Sequence, residues 1–110
     1  MVSAFSENFM LKVSGENYNK IKIHNYSSFD SIQGIVKKMK KTKNGLSSPE
    51  ILGTFRVDVF DSETVVKGKA KENEYLVVSL QGEAEGKVKA SLQYKNYVGY
   101  DILIIAFEDK

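Results

Sequence analysis

His24 is the only imidazole in the chain, and the chain contains no cysteine. A nucleophilic device of the Ser–His or Cys–His type therefore has a single candidate base. His24 follows Ile23 on the polar side of an alternating apolar and polar segment, which is typical of a strand with one wet face. We expect an exposed strand residue at this position, and we predict no catalytic residues and no enzymatic activity.

Metal ligands are equally sparse. Zinc sites draw mainly on Cys and His, and calcium loops need alternating oxygen ligands that end in a bidentate Glu. Asp58, Asp61 and Glu63 stand close together in sequence, but they lack the glycine and the terminal glutamate of such a loop. The glycines do not form the Gly-x-x-x-x-Gly-Lys pattern that holds phosphates. The sequence predicts neither a metal site nor a cofactor.

Tyrosines are concentrated in the segment Tyr94-Lys95-Asn96-Tyr97-Val98-Gly99-Tyr100. Tyrosine offers a large rigid contact area with few torsions to fix, and its hydroxyl can form hydrogen bonds, so tyrosine-rich loops recur in recognition surfaces. An alternative is that Tyr94 and Tyr100 end inward-facing strands and cap the core. The binding interpretation predicts a partner contact at Tyr94, Lys95, Tyr97 and Tyr100.

Lysines repeat at every second position in two other predicted strands, and this spacing places them on one face. Lysines beside an aromatic platform can hold single-stranded nucleic acid without sequence preference. Lysines on exposed strands also prevent aggregation of sheets, and the acidic turns nearby would repel phosphate. The candidate nucleic-acid face comprises Lys67, Lys69, Lys71, Tyr75, Lys87 and Lys89.

A third alternative is a small apolar ligand inside the fold. Small or apolar residues occupy the opposite face of the same two predicted strands, which would leave room between them. The cavity would be lined by Val66, Gly68, Ala70, Val88 and Ala90.

Length and charge restrict the class of protein. The 110 residues fit one domain covering 1–110, and 42% hydrophobic residues suffice for a core. The net charge of +2 is small, although residues 1–49 carry most of the positive excess. The start of the sequence lacks a signal-peptide pattern and the longest apolar run, 102–107, has six residues, so we expect a cytoplasmic protein without membrane contact.

The elements that position these residues are one predicted helix and about seven strands. Ser27 is a candidate helix cap, and Phe29, Ile32, Ile35, Val36 and Met39 follow at helical spacing up to the stop signal Asn44-Gly45. Gly34 interrupts this pattern, which indicates close packing against another element. Alternating segments around 9–13 and 21–23 predict an N-terminal hairpin.

Short turns separate the remaining predicted strands. The last one, Tyr100 to Phe107, is apolar on both faces, which indicates either a central position or one covered by the helix. The predicted fold class is α+β. It consists of a curved antiparallel β-sheet or partly closed barrel, in the order ββαβββββ, packed on the single amphipathic helix.

These observations favour a non-enzymatic binding protein that acts through a macromolecular interface, such as an inhibitor or an immunity-type protein. Another protein is the expected partner. Fifteen lysines against a single arginine and a single proline are typical of an AT-rich genome, which suggests a bacterial or phage origin.

Overall fold

The computed structural model describes residues 7–14, 17–59, 65–66, 69–97 and 100–110, and these residues form strands and turns only. Ten strands follow one another: β1 (Glu7–Lys12), β2 (Lys20–Asn25), β3 (Ser31–Met39), β4 (Lys41–Thr42), β5 (Gly45–Leu46), β6 (Glu50–Asp58), β7 (Val65–Val66), β8 (Tyr75–Gln81), β9 (Val88–Tyr97) and β10 (Tyr100–Asp109).

Two four-stranded sheets carry the fold. Sheet 1 has the order β1-β8-β3-β6, and sheet 2 has the order β7-β2-β10-β9. Neighbouring strands are antiparallel, except that β2 and β10 run parallel, with Ile21 beside Leu103. The short pair β4–β5 extends the β3–β6 hairpin, because the Ser47 backbone N–H donates to the Lys40 carbonyl at 2.8 Å.

The core lies between the two sheets, which pack face to face. Alternate residues of each long strand point inward, and one buried cluster contains side chains from both sheets. Phe107 of sheet 2 stacks on Phe55 of sheet 1 with ring centroids 5.9 Å apart and meets Phe9 edge-on at 6.3 Å. Three fully or nearly fully buried residues of β10, Ile102, Ile104 and Ala106, lie on the opposite face of its sheet. The prediction that this strand is central is confirmed.

The predicted α+β class is wrong, because the segment expected to form the helix is strand β3. Ile32, Gly34 and Val36 point into the core, while Ile35 lies on the outer face. Apolar residues at 32, 35, 36 and 39 satisfy the helical spacing and the two faces of a strand equally well, and the β-branched ones favour the strand. No helix packs on either sheet in the described part of the chain.

Gly34 does mark close packing, although the neighbour is a strand within the same sheet. A Cβ at this position would collide with the backbone carbonyl oxygen of Ser79 and would lie 3.2 Å from the ring of Phe55. The predicted N-terminal hairpin is also wrong, because β1 pairs with β8 and β2 pairs with β10 and β7. Antiparallel pairing of the later strands is confirmed for β9 and β10.

Among the described residues, no helix reaches the length and apolar character that crossing a bilayer would require.

Candidate functional site

Tyr94 is held in a fixed orientation although its side chain remains 38% exposed. It lies near the end of β9, where the ring packs against the buried Tyr18 at a centroid distance of 5.2 Å. The backbone N–H and the hydroxyl of Ser14 both donate to the Tyr94 hydroxyl oxygen at 3.2 Å. Binding of a partner to this ring would therefore carry no further entropic cost of ordering the side chain.

The other residues of the predicted tyrosine surface lie on the same hairpin. Lys95 is exposed and stands beside Ile102 of β10, on the opposite side of β9 from Tyr94. Tyr97 and Tyr100 are cross-strand neighbours at the tip of the β9–β10 hairpin, where the structure describes the backbone alone. Val98 and Gly99 lie outside the described residues. The hairpin thus brings all four predicted partner-binding residues to one end of the two sheets.

Lysines are concentrated at this end of the molecule, where β1 and β3 finish and where β2 and β10 begin. We call it the basic end. Among the described residues, ten lysines lie there with four carboxylates, whereas the opposite end has more acids than bases. The lysines are Lys12, Lys20, Lys37, Lys38, Lys40, Lys41, Lys43, Lys69, Lys71 and Lys95, and the acids are Glu50, Glu72, Glu74 and Asp101.

One of these lysines, Lys38, is held by contacts within the fold. The Lys38 ammonium lies 3.8 Å from the Glu74 carboxylate, with both side chains largely buried, and it donates to the Lys69 carbonyl oxygen at 3.0 Å. Lys40, Lys41 and Lys43 are exposed on the β4–β5 extension and its turn. These three lysines form a basic hairpin tip.

The predicted nucleic-acid face is not assembled as one surface. Lys69, Lys71 and Tyr75 lie at the basic end, whereas Lys87 and Lys89 lie at the opposite end. Lys87 stands 5.9 Å above the ring of Phe29, and Lys89 is 3.7 Å from the carboxylate of Glu108. Lys67 falls outside the described residues.

The predicted ligand cavity coincides with packed core wherever it is described. Ala70 and Val88 are fully buried in the cluster between the sheets, and Ala90 packs against that cluster. Gly68 lies outside the described residues, and only the backbone of Val66 is described. A cleft of about 280 Å³ occurs instead on the outer face of sheet 1, and it is polar, with Ser31, Gln33, Arg56, Gln81, Gly82 and Glu83 around it.

His24 is buried, with 8% of its surface exposed, so the expectation of an exposed residue is wrong. It belongs to β2, which is flanked by β7 and β10, and its ring meets the Tyr26 ring edge-on at 5.4 Å. Its Nδ1 atom shares a hydrogen bond with the Tyr26 hydroxyl. Within the described ranges, no three His, Asp or Glu side chains converge as a metal site would require.

Sequence reasoning missed an apolar surface on the outer face of sheet 1. Met10 is 53% exposed and Ile51 is 64% exposed, and the register places Val77 and Lys37 between them, one residue from each strand. We call these four residues the Met10–Ile51 row. The alternation around Phe9 already placed Met10 away from the core.

Ile51 could not be located in the same way. Counting back by twos from the buried Phe55 would place Ile51 inside, but the β3–β6 register shifts between Val36 and Lys37. Gly53 faces Val36 and Ile51 faces Lys37, so the additional residue, Leu52, packs against the core and Ile51 moves to the outer face. Such a β-bulge reverses the alternation and leaves no clear signal in the sequence.

Comparison of the chain with protein-family models, with curated proteins and with solved structures finds no match.

Proposed function

We propose that this chain is a non-enzymatic binding protein that acts through a macromolecular interface, with another protein as its partner. Within that class we propose an inhibitor or immunity-type role in the cytoplasm of a bacterium or in a phage-infected cell. The observation that supports the interface is Tyr94, which is exposed and yet fixed by Ser14 and Tyr18. Exposed aromatic rings that need no ordering make effective interface anchors.

The charge around Tyr94 indicates the complementary surface. The basic end offers Lys95 on the same hairpin and lysines from the neighbouring elements, with few carboxylates among them. Complementary charge raises the association rate and excludes partners of the same sign. The proposed partner therefore presents an acidic surface with an apolar depression for the Tyr94 ring.

The test uses the purified chain as bait in lysate from the source cells, with and without chemical crosslinking. Proteins that the unaltered chain captures are then challenged with Tyr94→Ala and Lys95→Glu variants. We expect a specific acidic protein, whose affinity falls about tenfold or more with Tyr94→Ala, as at an interface hot spot. Tyr26→Ala and Lys89→Glu, which alter an exposed tyrosine and an exposed lysine away from the basic end, are the matched controls.

Equal losses with the control variants would show that the basic end is not the interface. Unchanged capture with Tyr94→Ala would contradict the role of the fixed ring. Turnover of any substrate in the purified chain would refute the non-enzymatic assignment.

A second candidate function is binding of single-stranded nucleic acid, which is favoured by the presence of Lys69, Lys71 and Tyr75 at the same basic end as Tyr94. It predicts binding to a fluorescent oligonucleotide that weakens steeply as salt rises, because each phosphate contact releases counterions. Lys69→Glu and Lys71→Glu should then reduce the affinity and the salt slope, while Lys89→Glu should not. An affinity independent of salt would remove this candidate.

A further inference from the structure

The outer face of sheet 1 exposes an apolar side chain on each of its edge strands, with the partly buried Val77 and Lys37 between them. The Met10–Ile51 row crosses all four strands, and its two most exposed members stand on the edge strands β1 and β6. Ile35, Met39 and Tyr75 lie on the same face beside the row and are only partly buried. Isolated exposed apolar residues are ordinary, but a connected set on one sheet face indicates an interaction surface.

The charged side chains beside the apolar residues of this face are positive. Lys37 stands inside the Met10–Ile51 row, and Lys12 lies one row away on β1. Towards the opposite end, Arg56 projects from β6 with its side chain 70% exposed, 3.8 Å from Asp58. Pairing this face with a second copy of itself would bring the lysines towards one another, which disfavours a homodimer here.

We propose that the Met10–Ile51 row docks an acidic amphipathic helix supplied by a partner protein. Neighbouring strands lie about 4.8 Å apart, so the row spans roughly 14 Å, the length of about ten helical residues. A helix lying along the row would place apolar side chains at i, i+3 and i+10 over Met10, Val77 and Ile51. Glutamates or aspartates on its flanks would reach the ammonium groups of Lys37 and Lys12.

The same surface suits other polyanions less well. Single-stranded nucleic acid needs exposed aromatic rings for stacking, and Tyr75, the only aromatic residue placed on this face in the described part of sheet 1, is partly buried. Anionic lipid would meet the lysines, but a sheet face with two strongly exposed apolar residues offers little to insert. Binding of nucleic acid and binding of anionic lipid are separate outcomes that the experiment distinguishes.

The experiment titrates the ¹⁵N-labelled full chain with a synthetic 15-residue helix that carries leucines along one stripe and glutamates on both sides of it. Two control peptides keep the leucine stripe with lysines in place of glutamates, or keep the composition in scrambled order. Anionic phospholipid vesicles and a thymidine oligonucleotide are the two further probes. The measured quantities are amide chemical-shift changes and the dissociation constant of each probe.

We expect the acidic helix to shift amides of β1, β8, β3 and β6 around the Met10–Ile51 row, with a dissociation constant below about 1 mM. Ile51→Ser and Lys37→Glu should each weaken its binding about tenfold, because one removes apolar area and the other reverses a charge. Tyr26→Ser, immediately after β2 of the other sheet, is the control for loss of an exposed side chain. Unchanged melting temperatures would show that the altered positions leave the fold intact.

Equal affinity for the lysine peptide or for the scrambled peptide would overturn the proposal, and so would binding to vesicles or to the oligonucleotide alone. The absence of any amide chemical-shift change around the row at 1 mM acidic helix would also overturn the proposal. Tyr94→Ala should leave this binding unchanged, because Tyr94 lies outside the row. Failure of the docking proposal is therefore distinguishable from failure of the Tyr94 interface.

Discussion

Replacing Gly34 by alanine tests whether the close approach of β3 to β8 is necessary for the fold. An added Cβ would overlap the Ser79 carbonyl oxygen and approach the Phe55 ring to 3.2 Å. The carbonyl belongs to the backbone of a strand paired on both sides, so it cannot move away as a side chain would. Overpacking a core typically costs about 1–3 kcal/mol, and alanine recovers only about 0.4–1 kcal/mol through the unfolded chain.

Because the nearest obstacle is backbone, we place the net loss of unfolding free energy for Gly34→Ala at about 2–3 kcal/mol. For a chain of 110 residues, each kcal/mol lowers the melting temperature by about 4 °C, so calorimetry should record a fall of about 8–12 °C. Gly86→Ala is the matched control, since its φ of 77° disfavours alanine but its Cβ would meet open space. That variant should lose only about 1 kcal/mol.

A double variant distinguishes the effect of the Ser79 carbonyl from that of the Phe55 ring. Combining Gly34→Ala with Phe55→Leu frees the space of the ring but leaves the Ser79 carbonyl in place. We therefore expect no recovery of stability in the double variant. A melting temperature for Gly34→Ala within about 2 °C of the unaltered chain would refute the reasoning, because it corresponds to less than about 0.5 kcal/mol.

Three further predictions concern stability and are measured by urea denaturation. Phe107→Ala removes a fully buried ring from between the sheets and should cost about 3–5 kcal/mol, and a loss below 1 kcal/mol would contradict its central role. Asn25→Ala deletes a fully buried amide that donates to a backbone carbonyl at 2.9 Å and accepts from the Ser27 hydroxyl at 2.6 Å, so it should cost about 2–3 kcal/mol, with wild-type stability as the contrary result. Lys38→Met alone should destabilise more than Lys38→Met with Glu74→Gln, because a buried carboxylate without its cation is costlier than a neutral pair, and the reverse order would show that the ion pair is unimportant.

Local periodicity predicted the strands that alternate regularly but not their neighbours. In β8, Leu76, Val78 and Leu80 recur at every second position and point into the core, as alternation requires, and β10 was predicted to within two residues of its end. β3 was mistaken for a helix because apolar residues occur on both of its faces. The parallel pairing of β2 with β10 depends on distant residues, about which local alternation carries no information.

For the candidate sites too, local features could be predicted from the sequence, whereas contacts between distant segments could not. The position of the tyrosine segment on the β9–β10 hairpin could be predicted because its strands alternate and its turn is short. The hydrogen bonds from Ser14 to Tyr94 join residues 80 positions apart, so no local pattern indicates them. Ile51 reached the outer face of sheet 1 only because of the bulge at Leu52, and lysines from separate segments share the basic end only after both sheets form.

The parallel contact of β2 with β10 also determines when the chain can acquire its native structure. It joins residues about 80 positions apart, and β10 supplies the middle of sheet 2 together with Phe107. During translation, β2 and β9 lack their shared neighbour until β10 has left the ribosome, so sheet 2 cannot be completed before then. Folding should accordingly be slow, in the millisecond-to-second range of proteins dominated by distant pairings.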